Sequence, residues 1–210
     1  MRSAPRSPRA LGRHPLHVTL RLVRGLPSLR SRALHGRLQA ALRAGAERHG
    51  LRVVHYGALG DHVHLVCEAA DEHALARGMK GLAVRIARAL NRLLDRTSAV
   101  FADRYHAREL RAPRDVRNVL VYVLGNARRH GIVVETTLDP CSSAAQFDGW
   151  KELAPPREEA RWLARASTWL LTIGWRRHGL VSIRELPRGA PTRKTGSELE
   201  AGAPWAPVRA

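Results

Sequence analysis

The stretch Gly60-Asp61-His62-Val63-His64-Leu65-Val66-Cys67 constrains the fold more than any other part of the chain. Side chains alternate along a strand, so His62 and His64 share one face while Val63, Leu65 and Cys67 occupy the other. A second apolar run over 51–59 precedes it, and the tight Gly60-Asp61 turn joins the two as a hairpin. A hairpin with one apolar face has to be covered, which calls for helices packed on a sheet.

Two neutral imidazoles about 7 Å apart along a strand can converge on one divalent ion at about 2.0–2.1 Å from each nitrogen. With 11 His in 210 residues, this spacing also arises by chance, and the plain alternative is two imidazoles on a solvated strand face. A third ligand and a nucleophile have to decide.

The segment 113–131 supplies candidates for both. Pro113 suits a first helical position and Gly131 the residue after the last turn, while Val116, Val119, Leu120, Val123 and Ala127 recur at helical spacing as a core face. Tyr122 and Asn126 stand one turn apart on a neighbouring face, with Asn118 and Arg129. Over the His strand, Asn126 offers an oxygen ligand, and Tyr122 can attack a phosphate that the ion polarises. Taken singly, the tyrosine reads as a half-buried helix residue and the asparagine as a polar group near a frayed end; their spacing favours the chemistry. Arg129, on the same side, can steady a phosphate. Tyr56 and Tyr105 lie in strand-like runs without a polar residue one turn later and read as structural.

The pair in Asp61-His62-Val63-His64-Leu65, followed by Tyr122-Val123-Leu124-Gly125-Asn126, resembles the HUH single-strand endonucleases, and within them the single-tyrosine transposases of insertion sequences and the REP-associated tyrosine transposases. Matching stretches are His17-Val18-Thr19-Leu20-Arg21, Phe101-Ala102-Asp103-Arg104-Tyr105-His106 and Asn126-Ala127-Arg128-Arg129-His130-Gly131. The resemblance covers about residues 15–131. It implies that His62, His64 and Asn126 bind Mg²⁺ or Mn²⁺ and that Tyr122 forms a 5′-phosphotyrosine, so that DNA is cut and rejoined without ATP. It also implies single-stranded DNA with a hairpin or imperfect palindrome as partner, and homodimers that can exchange the tyrosine helix. Many relatives carry Asn where this chain has Asp61, and Asn-Pro where it has Asn126-Ala127; neither change removes a catalytic group, but Asp61 adds a negative charge beside the metal ligands. A domesticated relative that binds DNA hairpins or structured RNA without cutting is the alternative. His17-Val18-Thr19 also imitates half of the paired His-x-Thr signature of metal-free cyclic phosphodiesterases, but the second half here is His-Val-His.

Charge agrees with a nucleic-acid partner. Lys+Arg 36 against Asp+Glu 18 gives a formal charge of +18, which favours polyanions through counterion release; a generally basic soluble protein is the plain alternative. Over 71–94 a helical stripe of Leu75, Met79, Leu82, Ile86, Leu90 and Leu93 faces away from Arg77, Lys80, Arg85, Arg88 and Arg92, which can position a strand through its phosphates.

The predicted order is strand 17–23, helix 28–49 capped by Ser28 and stopped by Gly50, strand 51–59, the His strand, helix 71–94, strand 104–110 and helix 113–131. This βαββαβα order predicts an α+β, ferredoxin-like antiparallel sheet with helices packed on it, the His pair on a central strand. Residues 1–14 read as a basic disordered N-terminus, 15–137 as the catalytic domain, 138–186 as a Trp-containing extension with a helix over 157–173, and 187–210 as a disordered tail. No apolar run is long enough for a secretory signal or a membrane span, so the expected location is the cytoplasm, in association with the nucleoid.

Overall fold

The computed structural model describes residues 11–132 and 136–187; most of the expected basic N-terminus and of the tail lies outside the described residues. Five antiparallel strands form one sheet: β1 (Leu16–Arg21), β2 (Glu47–Arg48), β3 (Leu51–Ala58), β4 (His62–Ala69) and β5 (His106–Glu109), in the order β2-β3-β4-β1-β5. Helices α1 (Arg32–Gly45), α2 (Glu72–Leu93) and α3 (Pro113–Arg129) follow the predicted order, and a single turn, α4 (Trp169–Thr172), lies in the extension. Without the short β2, this is the ferredoxin-like arrangement, and the His pair lies on the central strand β4.

The β-strand alternation sorts two cores. Val63, Leu65 and Cys67 of β4 and Leu16, Val18 and Leu20 of β1 pack with α1 and α2. On the other face Val66 of β4 and Val54 of β3 pack with α3 and with Phe147, Trp150, Leu170, Leu171 and Trp175 of the extension. A bulge between Val53 and His55 lets Val54 and His55 both turn to that second face.

Local chemistry moves several predicted boundaries. Helix α1 starts after Ser31, whose hydroxyl accepts from Leu34 N, and not at Ser28. Leu29 N donates to Gly60 O and the Arg30 guanidinium reaches Ala58 O and Asp139, so residues 29–30 are tied to the hairpin and cannot wind. The helix also ends at Gly45, because Glu47 and Arg48 pair with Arg52 and Leu51; His49 (φ 57°) and Gly50 (φ 76°) make the left-handed two-residue turn between them.

The helix expected over 157–173 is replaced by an extended path with short helical turns. Trp162 and Leu163 join the first core while Ala166, Leu170 and Leu171 join the second, and Ala164 N donates to Val53 O. Residues sent to opposite faces of a sheet cannot share one helix. Glu68 of β4 clamps this segment by accepting from Ser167 N, Ser167 Oγ and Thr168 N at 2.7–3.0 Å. Among the described residues no helix is long and apolar enough to cross a membrane, and Cys67 and Cys141 are free and buried.

Candidate functional site

The face of the sheet below α3 gathers the polar residues. In the β1–β4 register His64 stands opposite Thr19 and His62 opposite Arg21; in the β1–β5 register His17 stands opposite Arg108 and Thr19 opposite His106. Cross-strand partners share a face, so these residues line one surface.

Helix α3 reaches that surface through a glycine. Gly57 of β3 pairs with His64, and a Cβ at Gly57 would lie 2.2 Å from the carbonyl oxygen of Val123. Only a residue without a side chain admits the helix backbone so close to the sheet. The neighbouring Tyr122 is thereby placed with its hydroxyl 3.3 Å from His64 Nε2 of the same chain and its ring centroid 4.9 Å from that imidazole.

Both imidazoles turn Nδ1 to a partner. His64 is 5% exposed, and its Nδ1 lies 3.2 Å from His17 Nε2 and 3.1 Å from Thr19 Oγ1. His62 Nδ1 lies 2.6 Å from Asp61 Oδ1, and this hydrogen bond, chiefly, holds the Asp61 carboxyl below its ordinary range. The two rings are T-shaped with centroids 4.7 Å apart. Burial, helped by His17, His62 and His130, pushes His64 down to about 3; burial, then Arg108 and His106, pushes His17 down to about 4. At neutral pH both are uncharged and carry a free lone pair, as a metal ligand must.

Asn126 is 2% exposed, and among the described residues neither its Oδ1 nor its Nδ2 has a hydrogen-bond partner. A buried amide left unpaired costs about 1–3 kcal/mol, and such exceptions call for an explanation. Its amide oxygen lies one turn beyond Tyr122, on the helix that packs against His64, and is a candidate third ligand. No group of three or more His, Cys, Asp or Glu among the described residues is placed to hold a metal, so an ion here would rest on two imidazoles and this amide.

The cations expected to bind DNA lie elsewhere. Arg77, Lys80, Arg88 and Arg92 are exposed on α2, which covers the opposite face of the sheet from Tyr122. Arg85 is half-buried and folds against Gly45 of α1. The side chain of Arg129 lies outside the described residues. The structure places other groups beside the pair: Arg21, His106 and Arg108, exposed on the sheet face, and His17 and Thr19 against His64. The i, i+2 spacing of His17, Thr19 and Arg21, and of His106 and Arg108, carried that signal in the sequence, as did a glycine inside the apolar strand at Gly57.

No family model and no curated protein matches the chain. Among solved structures, that of a REP-associated tyrosine transposase bound to a REP hairpin is similar to it at 16% identity, over 68% of this chain and 82% of that one, with a TM-score of 0.48.

Proposed function

We propose that this chain is a metal-dependent single-strand DNA endonuclease of the tyrosine-transposase kind, which cuts and rejoins DNA at hairpins or imperfect palindromes through Tyr122. One observation carries the reading: a phenol hydroxyl 3.3 Å from a buried neutral imidazole, with an unpartnered buried amide one turn further along the same helix.

In this reading the Tyr122 oxygen bonds to phosphorus as the P–O3′ bond breaks, leaving a 5′-phosphotyrosine and a free 3′-hydroxyl; attack by a 3′-hydroxyl reverses the step and rejoins the strand. His62, His64 and Asn126 would hold Mg²⁺ or Mn²⁺, imidazole nitrogen favouring Mn²⁺, and the ion would supply Lewis-acid stabilisation of the phosphate charge. In the metal-free protein the His64 Nε2 lone pair orients the phenol; with the ion bound, the same lone pair would serve the ion. Arg21 and Arg108 hold the scissile strand on the sheet face, and the exposed cations of α2, on the far side, hold flanking phosphates without reading sequence. The formal charge of +18 supports a polyanionic partner.

The test is incubation with labelled single-stranded oligonucleotides containing varied hairpins and Mn²⁺, followed by denaturing gels. An SDS-stable protein–DNA adduct is expected from the wild type and is lost with EDTA or in Tyr122→Phe. An adduct of undiminished yield in Tyr122→Phe refutes the nucleophile. Tight hairpin binding with no adduct across the substrate panel refutes cutting and identifies a binding protein.

A further inference from the structure

We propose that His17 and Thr19 together set the tautomer of His64, keeping its proton on Nδ1 so that Nε2 faces Tyr122 as a bare lone pair. The inference deepens the reading of the Tyr122 site given above.

The geometry carries it. His64 Nδ1 has two close neighbours, His17 Nε2 at 3.2 Å and Thr19 Oγ1 at 3.1 Å, and can itself hold at most one proton in the neutral ring. Across the His17–His64 contact one nitrogen must donate and the other accept. If His17 donated, its N–H and the Thr19 hydroxyl would compete for the single in-plane lone pair of Nδ1, and His64 would carry its proton on Nε2, pointed at the Tyr122 oxygen. If His64 donates, one N–H is shared between two acceptors, a three-centre arrangement that proteins use freely. Nε2 is then free to accept from the phenol 3.3 Å away, or to bind a cation.

The neighbouring imidazole follows the same plan. His62 Nδ1 is 2.6 Å from a carboxylate oxygen of Asp61, an acceptor only, so His62 also carries its proton on Nδ1 and leaves Nε2 bare. Two outer-shell devices, a carboxylate for one ring and a His–Thr pair for the other, thus give both histidines the same tautomer. Strand register builds this in: Thr19 is the residue directly opposite His64, and His17 lies two residues along β1 on the same face. His17 and Thr19 are positioning residues, acting through His64.

The test begins on the full-length, metal-free protein, ¹⁵N-labelled, at neutral pH. Two-bond ¹H–¹⁵N correlations read which imidazole nitrogen is protonated, with His64 assigned by its loss in His64→Asn. The expected result is a protonated Nδ1 and a bare Nε2 in the wild type. The double variant His17→Phe/Thr19→Val removes both acceptors; its His64 ring should shift towards the Nε2–H form and its Mn²⁺ affinity, read by electron paramagnetic resonance of the ion, should fall about 10- to 100-fold. His17→Gln, whose amide oxygen can accept the same proton, should restore most of both. A wild-type His64 protonated on Nε2 overturns the assignment whether or not the double variant folds. So does a folded double variant with unchanged tautomer and Mn²⁺ affinity. Failure of the wild type to form a covalent DNA adduct, with the Nδ1–H tautomer in place, overturns the nuclease reading and leaves this inference standing.

Discussion

Gly57→Ala tests whether the approach of α3 to the sheet is what aims Tyr122. The added Cβ would sit 2.2 Å from the Val123 carbonyl oxygen and 3.2 Å from its carbon, where ordinary contact begins at 3.4 Å, so the helix must lift by about 1 Å. Backbone blocks the way, and no rotamer change relieves it. Overpacking of this kind destabilises by about 1–3 kcal/mol. The larger effect falls on the reaction, because misplacing a reacting group by about 1 Å slows it by about 10²-fold, equivalent to about 2.7 kcal/mol of barrier. Gly78→Ala is the matched control: a Cβ there would lie 2.3 Å from Leu51 Cβ, an equally hard clash, but between α2 and the opposite face of the sheet. Both variants should lose comparable stability by chemical denaturation, whereas the rate of covalent adduct formation on a hairpin oligonucleotide should fall only in Gly57→Ala. A folded Gly57→Ala that forms the adduct within threefold of the wild-type rate, or a Gly78→Ala slowed as much, would refute the reasoning.

Asn126→Leu should leave the metal-free protein as stable as the wild type or more so, since it removes a buried amide without a partner, and should abolish the stabilisation by Mn²⁺ that the proposed function expects, which at 100-fold excess over Kd would be about 2.7 kcal/mol in the wild type. Scanning fluorimetry with and without Mn²⁺ checks this, and equal Mn²⁺ shifts in both proteins would exclude Asn126 as a ligand. His55 is buried between the sheet and the extension, its Nδ1 3.2 Å from Ser143 Oγ, and burial pushes it down to about 4. The unfolded chain, titrating near 6.5, therefore binds the proton that the folded state refuses. Stability falls as pH drops from about 6.5 to 4, by about 3 kcal/mol from this group. Denaturation curves at pH 7 and pH 4.5 should diverge less for His55→Gln than for the wild type; an unaltered pH slope would show that His55 contributes nothing to it.

The hairpin and its two faces were legible because strand alternation is a local rule that burial then enforces: every apolar residue of 63, 65 and 67 enters the first core, and His64 enters the site. The Tyr122–Asn126 face was legible for the same reason, with a helical period. The side of the sheet on which each helix docks was not. The stripe of α2 shows only that one face is buried, so its cations could be assigned to DNA but not to a position relative to Tyr122. Arg85 belongs to the cationic face by periodicity, yet it folds against Gly45, because α1 covers that flank of α2. The segment 157–173 misled because its apolar residues satisfy two separate cores, a division decided by β3 and its bulge far earlier in the chain. Gly57 went unrecognised because its neighbour is 66 positions away.

The division of the sheet into two faces also decides which part of the Tyr122 face stays exposed. On the α1–α2 face every inward position of β4 is apolar, so that face can be sealed. On the other face α3 reaches β3 and β4, and the extension closes the end of β4 that carries Glu68, whose carboxylate takes three donors from residues 167–168. Each such charge-assisted bond contributes about 1.5–3 kcal/mol, which offsets burial of the carboxylate and binds the extension to this end of the strand. His62, six residues back along β4, is half-buried, and Arg21, His106 and Arg108 of the β1–β5 flank are exposed. Among the described residues this flank exposes those three side chains, with the Asp61 carboxylate between Arg21 and His62. The clamp that anchors the extension at the Glu68 end of β4 thus leaves the β1–β5 flank exposed among the described residues, and under the proposed function that flank is where a phosphate would approach Tyr122.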